Sequence, residues 1–265
     1  NAFINITHVY HCAAVVSFRR EDENLMRKVN IEGTANMVNL ALEHTVEKFC
    51  YVSSIATLDK NDKATYIDET HEWNPENNNY DYAISKYGGE MEVWRGSQEG
   101  LPVIIVHPGV ILGSGFWNHN TGRFFLNAAQ NFSYYTTGVT GFVGVKEVAE
   151  LLVLLMESSL FNDQFILVSE NTSFQYVMTE IALAFGTKPP HRKVTPFLAG
   201  IAWRLTWIQS KITGKQPMIT KHSAQAAQQF YSYSSHKIQQ ALNYTFPSLK
   251  DSIAEYAKAY QKDHS

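Results

Sequence analysis

This chain of 265 residues has few cysteines, no metal-ligand spacing and no strong net charge. Its two cysteines, Cys12 and Cys50, lie in apolar runs, which predicts buried small side chains and argues against a disulfide or a metal pair. The ten histidines show no metal-ligand spacing, so no metal site is predicted. A net charge of −3 gives no reason to expect nucleic acid as a partner.

Long hydrophobic runs are lacking too. A membrane-spanning helix needs about 20 apolar residues, and the most apolar run, residues 196–208, is interrupted by Arg204 and Thr206. A helix that lines a substrate pocket is favoured there, and a helix lying on a membrane surface is the weaker alternative. No membrane partner is therefore predicted. No signal peptide is visible, so a cytoplasmic location is predicted.

A glycine-rich dinucleotide turn is missing from the sequence. Gly113-Ser-Gly115 is followed by Phe116, with no third glycine suitably placed. We expect the turn in a region upstream of Asn1, on two strand–helix units of roughly 30 residues each. The alternative, a truncated protein without a cofactor pocket, would expose an unpaired sheet edge.

Short apolar runs and helical periodicities alternate through the first two thirds of the chain, which predicts parallel strands joined by helical crossovers. The runs at 49–52 and 103–106 have the composition of strands buried on both faces. Strands are predicted at 9–12, 49–53, 103–106 and 164–168, helices at 24–43, 83–98, 146–158, 173–186, 195–212, 220–231 and 248–262, and a polar loop at 58–79.

Ser54, Tyr82 and Lys86 form the most informative pattern. Ser54 follows a predicted strand, at the sheet edge where α/β proteins bind ligands. Tyr82 and Lys86 are four residues apart on a predicted helix and so point the same way. A second Tyr-x-x-x-Lys, at 233–237, has none of this context. The order of the parts is therefore a stronger signal than the motif alone.

These side chains suit carbonyl reduction, in which negative charge develops on the substrate oxygen. Tyr82 is the predicted general acid/base, and the Lys86 ammonium is expected to lower the pKa of its phenol. Ser54 is predicted to donate a hydrogen bond to the substrate oxygen. Ser53 and Tyr80 are the alternatives to Ser54 and Tyr82, although only Tyr82 stands four residues before a lysine. A surface tyrosine and a turn serine are the non-functional interpretation.

Four segments resemble the short-chain dehydrogenase/reductase superfamily. They are Val9–Phe18, Asn30-Ile-Glu-Gly-Thr34, His107-Pro-Gly-Val-Ile-Leu-Gly113 and the segment 141–149, where Lys146 or Glu147 replaces the usual Asp. The likeness is to the extended branch, which contains epimerases, dehydratases, dihydroflavonol-type reductases and 3β-hydroxysteroid dehydrogenases. It extends from Val9 to about Val168 and is greater for the reductase and steroid-dehydrogenase side.

The resemblance implies an α/β fold. It would comprise a Rossmann-type, doubly wound parallel sheet in a partial dinucleotide-binding domain, residues 1–170, and a smaller, mostly helical substrate-binding domain, residues 171–265. It implies NAD or NADP as cofactor and favours Ser54, the later serine. Lys86 would hydrogen-bond the nicotinamide ribose. The cofactor-binding residues implied are Cys12, Ala13, Ala14, Asn30, Ser53, Tyr82, Lys86, Pro108, Gly109 and Val110.

Some of these residues could instead have purely structural roles. The small residues 12–14 suit close approach of a dinucleotide, and they also suit core packing. Asn30 has two possible roles: it caps or holds its own helix, or it forms a hydrogen bond near the cofactor ribose. A homodimer through 34–43 and 83–98 is expected, with Met37, Met91 and Trp94 as apolar anchors.

Three functions are compatible with this sequence. The leading one is an NAD(P)-dependent oxidoreductase acting on a small or medium-sized hydrophobic carbonyl or alcohol. The second is a sugar-nucleotide epimerase or dehydratase that uses the same Tyr82 and Lys86. The third is a non-catalytic nucleotide-sensing homologue, which the joint presence of Ser54, Tyr82 and Lys86 disfavours.

Overall fold

The computed structural model describes residues 2–60, 66–76, 80–213, 224–225 and 227–264. The chain forms two compact units. The first comprises Asn1–Gly109, Glu147–Leu167 and Ser234–Thr245, and the second comprises Val110–Lys146, Val168–Tyr233 and Phe246–Ser265. Both units combine segments from either side of residue 170, where the sequence analysis put a domain boundary. That boundary stays a prediction.

Strands and helices alternate along the described chain. The strands are β1 (His8–His11), β2 (Lys48–Val52), β3 (Val103–Pro108), β4 (Val110–Leu112), β5 (Tyr134–Tyr135), β6 (Val139–Gly144), β7 (Asp163–Leu167), β8 (Glu170–Ser173) and β9 (Arg192–Lys193). The helices are α1 (Glu23–Met26), α2 (Gly33–Glu43), α3 (Asp81–Gln98), α4 (Gly122–Ala129), α5 (Val145–Glu157), α6 (Phe174–Phe185), α7 (Pro196–Thr213), α8 (His236–Leu242) and α9 (Leu249–Asp263). A π-helical stretch, Arg27–Glu32, joins α1 to α2.

The first unit is built on a four-stranded parallel sheet in the order β1-β2-β3-β7. Strand β3 is buried along its whole length and β2 over all but its last residue, as their continuous apolar sequences predict. The α/β class with a parallel sheet is therefore confirmed. Because the strands run in register, the residues that follow β1, β2 and β3 all lie along one carboxyl edge of the sheet.

Helix α3 approaches this sheet closely through Gly89. A Cβ at that position would lie 2.3 Å from the Asn30 carbonyl oxygen and 2.5 Å from the Tyr51 hydroxyl. The absence of a side chain at Gly89 thus lets α3 approach both β2 and the π-helical stretch. The core of this unit combines apolar side chains of the sheet with those of α2 and α3, among them Val38, Ala41, Phe49, Tyr51, Val93 and Ile105.

The second unit contains a sheet in the order β4-β6-β8 and a short pair, β5-β9. Its core gathers aromatic and aliphatic side chains of α4, α6 and α9 around Phe125 and Phe142. Of the helix predicted over 220–231, residues 220–223 and 226 lie outside the described residues, and 224–225 are helical. The prediction is wrong for 227–231, which are not helical and where Phe230 forms an isolated bridge with Val139. Among the described residues, no helix is both long and apolar enough to cross a bilayer.

Candidate functional site

Ser54, Tyr82 and Lys86 come together at the carboxyl edge of the first unit's sheet. Ser54 follows β2 and caps a short 3₁₀ turn, its Oγ accepting from the Ala56 amide at 3.1 Å. Tyr82 and Lys86 occupy the first two turns of α3. The Tyr82 phenol lies close enough to Ser54 for the two side chains to interact. The helical phase expected from the sequence therefore aligns the phenol with a strand-end hydroxyl.

The Lys86 ammonium is buried at the end of β2, with 2% of the residue exposed. Its Nζ donates to the Val52 carbonyl at 2.7 Å and lies 4.1 Å from the centre of the Tyr51 ring. Burial lowers the pKa of Lys86 to about 8, and the interactions with Glu90 and, to a smaller extent, Cys12 act in the opposite direction. A lysine so placed carries its charge at neutral pH but sits near its titration range.

The pKa of Tyr82 is raised. Desolvation of its half-buried phenol is the larger cause, and the interaction with Ser54 acts in the opposite direction. The prediction that Lys86 lowers this pKa is therefore wrong for this structure. The physical reason is that removing the phenol from water disfavours the phenolate, while the Lys86 ammonium is held by the Val52 carbonyl.

A buried polar network lies behind Ser54. Ser53 Oγ donates to Glu90 Oε2 at 2.7 Å, and the same oxygen lies 3.9 Å from His107 Nδ1. His107 also lies 3.3 Å from the Ser54 carbonyl oxygen and 2.9 Å from Gln164 Oε1. The sequence analysis gave Glu90 no role, although it stands four residues after Lys86 and so shares its helix face.

Asn30 holds the loop that follows β1. This fully buried side chain accepts from the Val15 amide at 2.7 Å and donates to the Val15 carbonyl at 2.9 Å. It also donates to Ser85 Oγ, at 2.9 Å, on α3. These bonds are the holding contacts that the sequence analysis weighed against a cofactor contact. Direct contact between Asn30 and a cofactor stays a prediction.

Aromatic side chains lie beside Tyr82. The Phe18 ring stacks on Tyr80, with 5.6 Å between ring centres, and lies 6.3 Å from the Tyr82 ring. Phe18 is nevertheless 39% exposed. Burial, with a smaller contribution from Tyr82, raises the pKa of Tyr80. The acid candidate thus has an apolar neighbour that is open to solvent.

The edge residues fit a nicotinamide dinucleotide. Cys12 and Ala13 are exposed after β1, and Ala14 is half-buried. The prediction of a buried side chain is therefore wrong for Cys12, because the chain leaves the sheet there, and the backbone is open to a large ligand. Pro108 is buried and Gly109 half-buried at the end of β3. Ser53 is buried and bonded to Glu90, and Val110, half-buried, opens β4 in the second unit. The cofactor contacts assigned to these individual residues stay predictions.

Comparisons with known proteins agree with this geometry. A family model described as Male sterility protein matches residues 2–133. A putative dihydroflavonol 4-reductase of Synechocystis sp. is 25% identical over 265 residues, covering 96% of this chain and 76% of that protein.

Two solved structures share the fold. That of gox2253 is 28% identical, with a TM-score of 0.81 over 99% of this chain and 80% of that one. The structure of MoeE5 in complex with UDP-glucose and NAD is 16% identical, with a TM-score of 0.76 over 98% of this chain and 81% of that one. The Rossmann-type fold is thereby confirmed, and the chain belongs to the extended branch of the short-chain dehydrogenase/reductase superfamily as an NAD(P)-binding enzyme.

Proposed function

We propose that the protein is an NAD(P)-dependent oxidoreductase that interconverts a carbonyl group and an alcohol on an apolar small molecule. One observation carries this proposal: the Tyr82 phenol and Ser54 lie close enough at the sheet edge to interact, and Lys86 follows Tyr82 by one helical turn. The arrangement offers a proton donor and a hydrogen-bond donor to one substrate oxygen, which is what carbonyl reduction requires.

The chain's own groups handle the proton. The bound cofactor supplies or accepts the hydride at the substrate carbon. In reduction, the Tyr82 hydroxyl gives its proton to the oxygen as negative charge develops there, and Ser54 donates a hydrogen bond to the same oxygen. The Lys86 ammonium, which donates to the Val52 carbonyl, would act on the phenolate left on Tyr82 only through its positive charge one helical turn away, against the larger effect of desolvation. Because burial raises the Tyr82 pKa, the phenol is protonated at neutral pH and can act as the proton donor in reduction.

The loop after β1 supports an apolar substrate. One end is held by Asn30 through Val15, as described above. At the other end, Ser17 Oγ donates to Asp22 Oδ2 at 2.6 Å, and Asp22 also binds Arg19. Between these anchors the loop exposes the apolar side chains of Val16 and Phe18, the latter beside Tyr82. A substrate whose carbonyl reaches Tyr82 would therefore lie against apolar surface.

The test compares Tyr82→Phe with wild-type protein expressed from its complete gene. NADH and NADPH are supplied with a panel of aliphatic and aromatic aldehydes and ketones, and the reduced cofactor is followed by absorbance. The variant should lose roughly 10²–10⁴-fold in kcat/KM, because it lacks the donated proton. Tyr244→Phe is the matched control, since it removes a phenol that binds Glu150 on the surface. A Tyr82→Phe variant within a few-fold of wild type would refute the assignment.

A sugar-nucleotide epimerase or dehydratase is the second candidate. It is favoured by the fold shared with MoeE5, whose structure holds UDP-glucose and NAD. The same Tyr82 and Lys86 would serve it, but the enzyme would keep its NAD through purification. Mass spectrometry of the nucleotide released on denaturation separates the two candidates. Tightly retained NAD, together with turnover of UDP-glucose, would replace the first candidate by the second.

A further inference from the structure

The charge of the chain is strongly segregated. Residues 181–250 contain no Asp or Glu. The rest of the chain holds all 25 acidic side chains but 13 of the 22 lysines and arginines, and so the small net charge conceals a basic segment. The basic side chains of this segment are Lys188, Arg192, Lys193, Arg204, Lys211, Lys215, Lys221, Lys237 and Lys250.

Helix α7, within this segment, turns an apolar stripe to solvent. Phe197, Ile201 and Leu205 are 76%, 40% and 61% exposed. They are four residues apart and so share one helix face, which we call the α7 stripe. Leu198, beside them, is also exposed, whereas Ala199 on the opposite face is buried. Water therefore meets the apolar face of this helix.

Basic and aromatic side chains lie on α7 and on the strand that precedes it. Strand β9, Arg192–Lys193, is exposed and ends three residues before α7 begins. The Arg192 guanidinium lies 5.8 Å from the ring centre of the exposed Tyr134. Arg204, on the edge of the stripe, lies 4.7 Å from the Trp203 ring. Exposed cationic side chains thus stand next to the exposed apolar face of α7 along the chain of the second unit.

We propose that the α7 stripe and β9 form a docking surface for an anionic lipid bilayer. Such a bilayer matches both features, because its acyl boundary receives exposed apolar side chains while its headgroups attract lysine and arginine. The interruption by Arg204 and Thr206 that prevents α7 from crossing a membrane suits a helix lying on its surface. The sequence analysis predicted no membrane partner, and this proposal departs from it. It is also independent of the proposed catalytic function.

Vesicle flotation tests the proposal with the protein expressed from its complete gene. Wild-type protein should float with vesicles of phosphatidylcholine and phosphatidylglycerol, float much less with phosphatidylcholine alone, and be released as salt rises. Phe197→Ser and Leu205→Ser should each lower the partition coefficient roughly tenfold, since each removes a large apolar side chain. Arg192→Gln and Lys193→Gln should each lower it roughly fivefold.

Phe161→Ser is the matched control, because Phe161 is 60% exposed on the first unit and lies outside the basic segment. It should float as wild type does. Circular dichroism shows whether each variant is folded. Two stripe variants are used so that the test still stands if one of them does not fold. Absence of flotation with anionic vesicles would overturn the proposal. Unchanged flotation of both stripe variants would also overturn it. A third contrary result would be that the wild-type protein does not float and is a dimer, and that the stripe variants are monomers, because the stripe would then be a dimer interface.

Discussion

Replacing Glu90 with glutamine tests what keeps Lys86 charged. Both side chains are buried, Glu90 at 5% and Lys86 at 2% exposure, and they lie one turn apart on α3. Glutamine keeps the size of the side chain and an oxygen that can accept from Ser53 Oγ. The substitution therefore removes a negative charge with little change of shape.

The expected effect is a lower pKa for Lys86. Burial already lowers that pKa to about 8. Two groups oppose the decrease, and the Glu90 carboxylate has the larger effect of the two. An opposite charge within about 4–6 Å commonly shifts a pKa by roughly one unit or more. Glu90→Gln should thus lower the Lys86 pKa further. The remaining groups around the ammonium are the Tyr51 ring, the Cys12 thiol and His11, whose own pKa is lowered to about 4 by burial and by Lys86.

Nuclear magnetic resonance of protein carrying ε-¹³C-lysine follows the Lys86 titration directly, with Lys86→Arg identifying the resonance. In reduction assays, the alkaline limb of the kcat/KM profile should move to lower pH, because the ammonium is then lost at lower pH. Glu92→Gln is the matched control, since Glu92 pairs with Arg95 on the surface of the same helix. A Lys86 titration identical in the Glu90→Gln and Glu92→Gln proteins would refute the reasoning.

Two further substitutions test the packing that positions the site. Lys48 is buried, and its Nζ donates to the Leu155 and Ser158 carbonyls at 2.6 and 2.8 Å at the end of α5, so Lys48→Met should lower the free energy of unfolding by roughly 2–3 kcal/mol. Lys237→Met is the control, because it breaks a part-exposed pair with Asp163 and should cost less than about 1 kcal/mol. Equal losses of unfolding free energy for the two variants in urea denaturation would contradict the burial argument. Gly89→Ala should destabilise by roughly 1–3 kcal/mol, because its Cβ would meet the Asn30 carbonyl and the Tyr51 hydroxyl. Gly33→Ala, whose Cβ has 3.6 Å to its nearest neighbour, should be tolerated, and a Gly89→Ala melting temperature equal to that of Gly33→Ala would count against the close approach.

Local patterns predicted the sheet and the face that carries Tyr82. The apolar runs of β2 and β3 could be recognised because their burial on both faces leaves no polar position in the middle. The duplicate Tyr-x-x-x-Lys was judged background, and the structure agrees with this. Tyr233 lies outside any helix and α8 begins only at His236, so Tyr233 and Lys237 do not share a helix face.

Contacts between distant segments were not predictable in the same way. Glu90 meets Ser53, 37 positions away, and His107 meets Gln164, 57 positions away, and no local spacing encodes such pairs. The direction of the Tyr82 pKa was wrong for the same reason, since desolvation depends on what the fold places around the phenol. Strand β6, Val139–Gly144, was not predicted, because its glycines weaken the strand signal.

The bonds of Asn30 also constrain the order in which the protein can fold. They join the loop at Val15 to Ser85 on α3, which is 55 positions away from Asn30 in the chain. Closing a loop of that length costs entropy before any contact offsets it. The Val15 amide therefore gains its acceptor only with Asn30 in place, and Asn30 is fully held only after α3 has docked. Amide hydrogen exchange at Val15 therefore reports on the contact between this loop and Asn30, whose amide group also binds the helix that carries Tyr82.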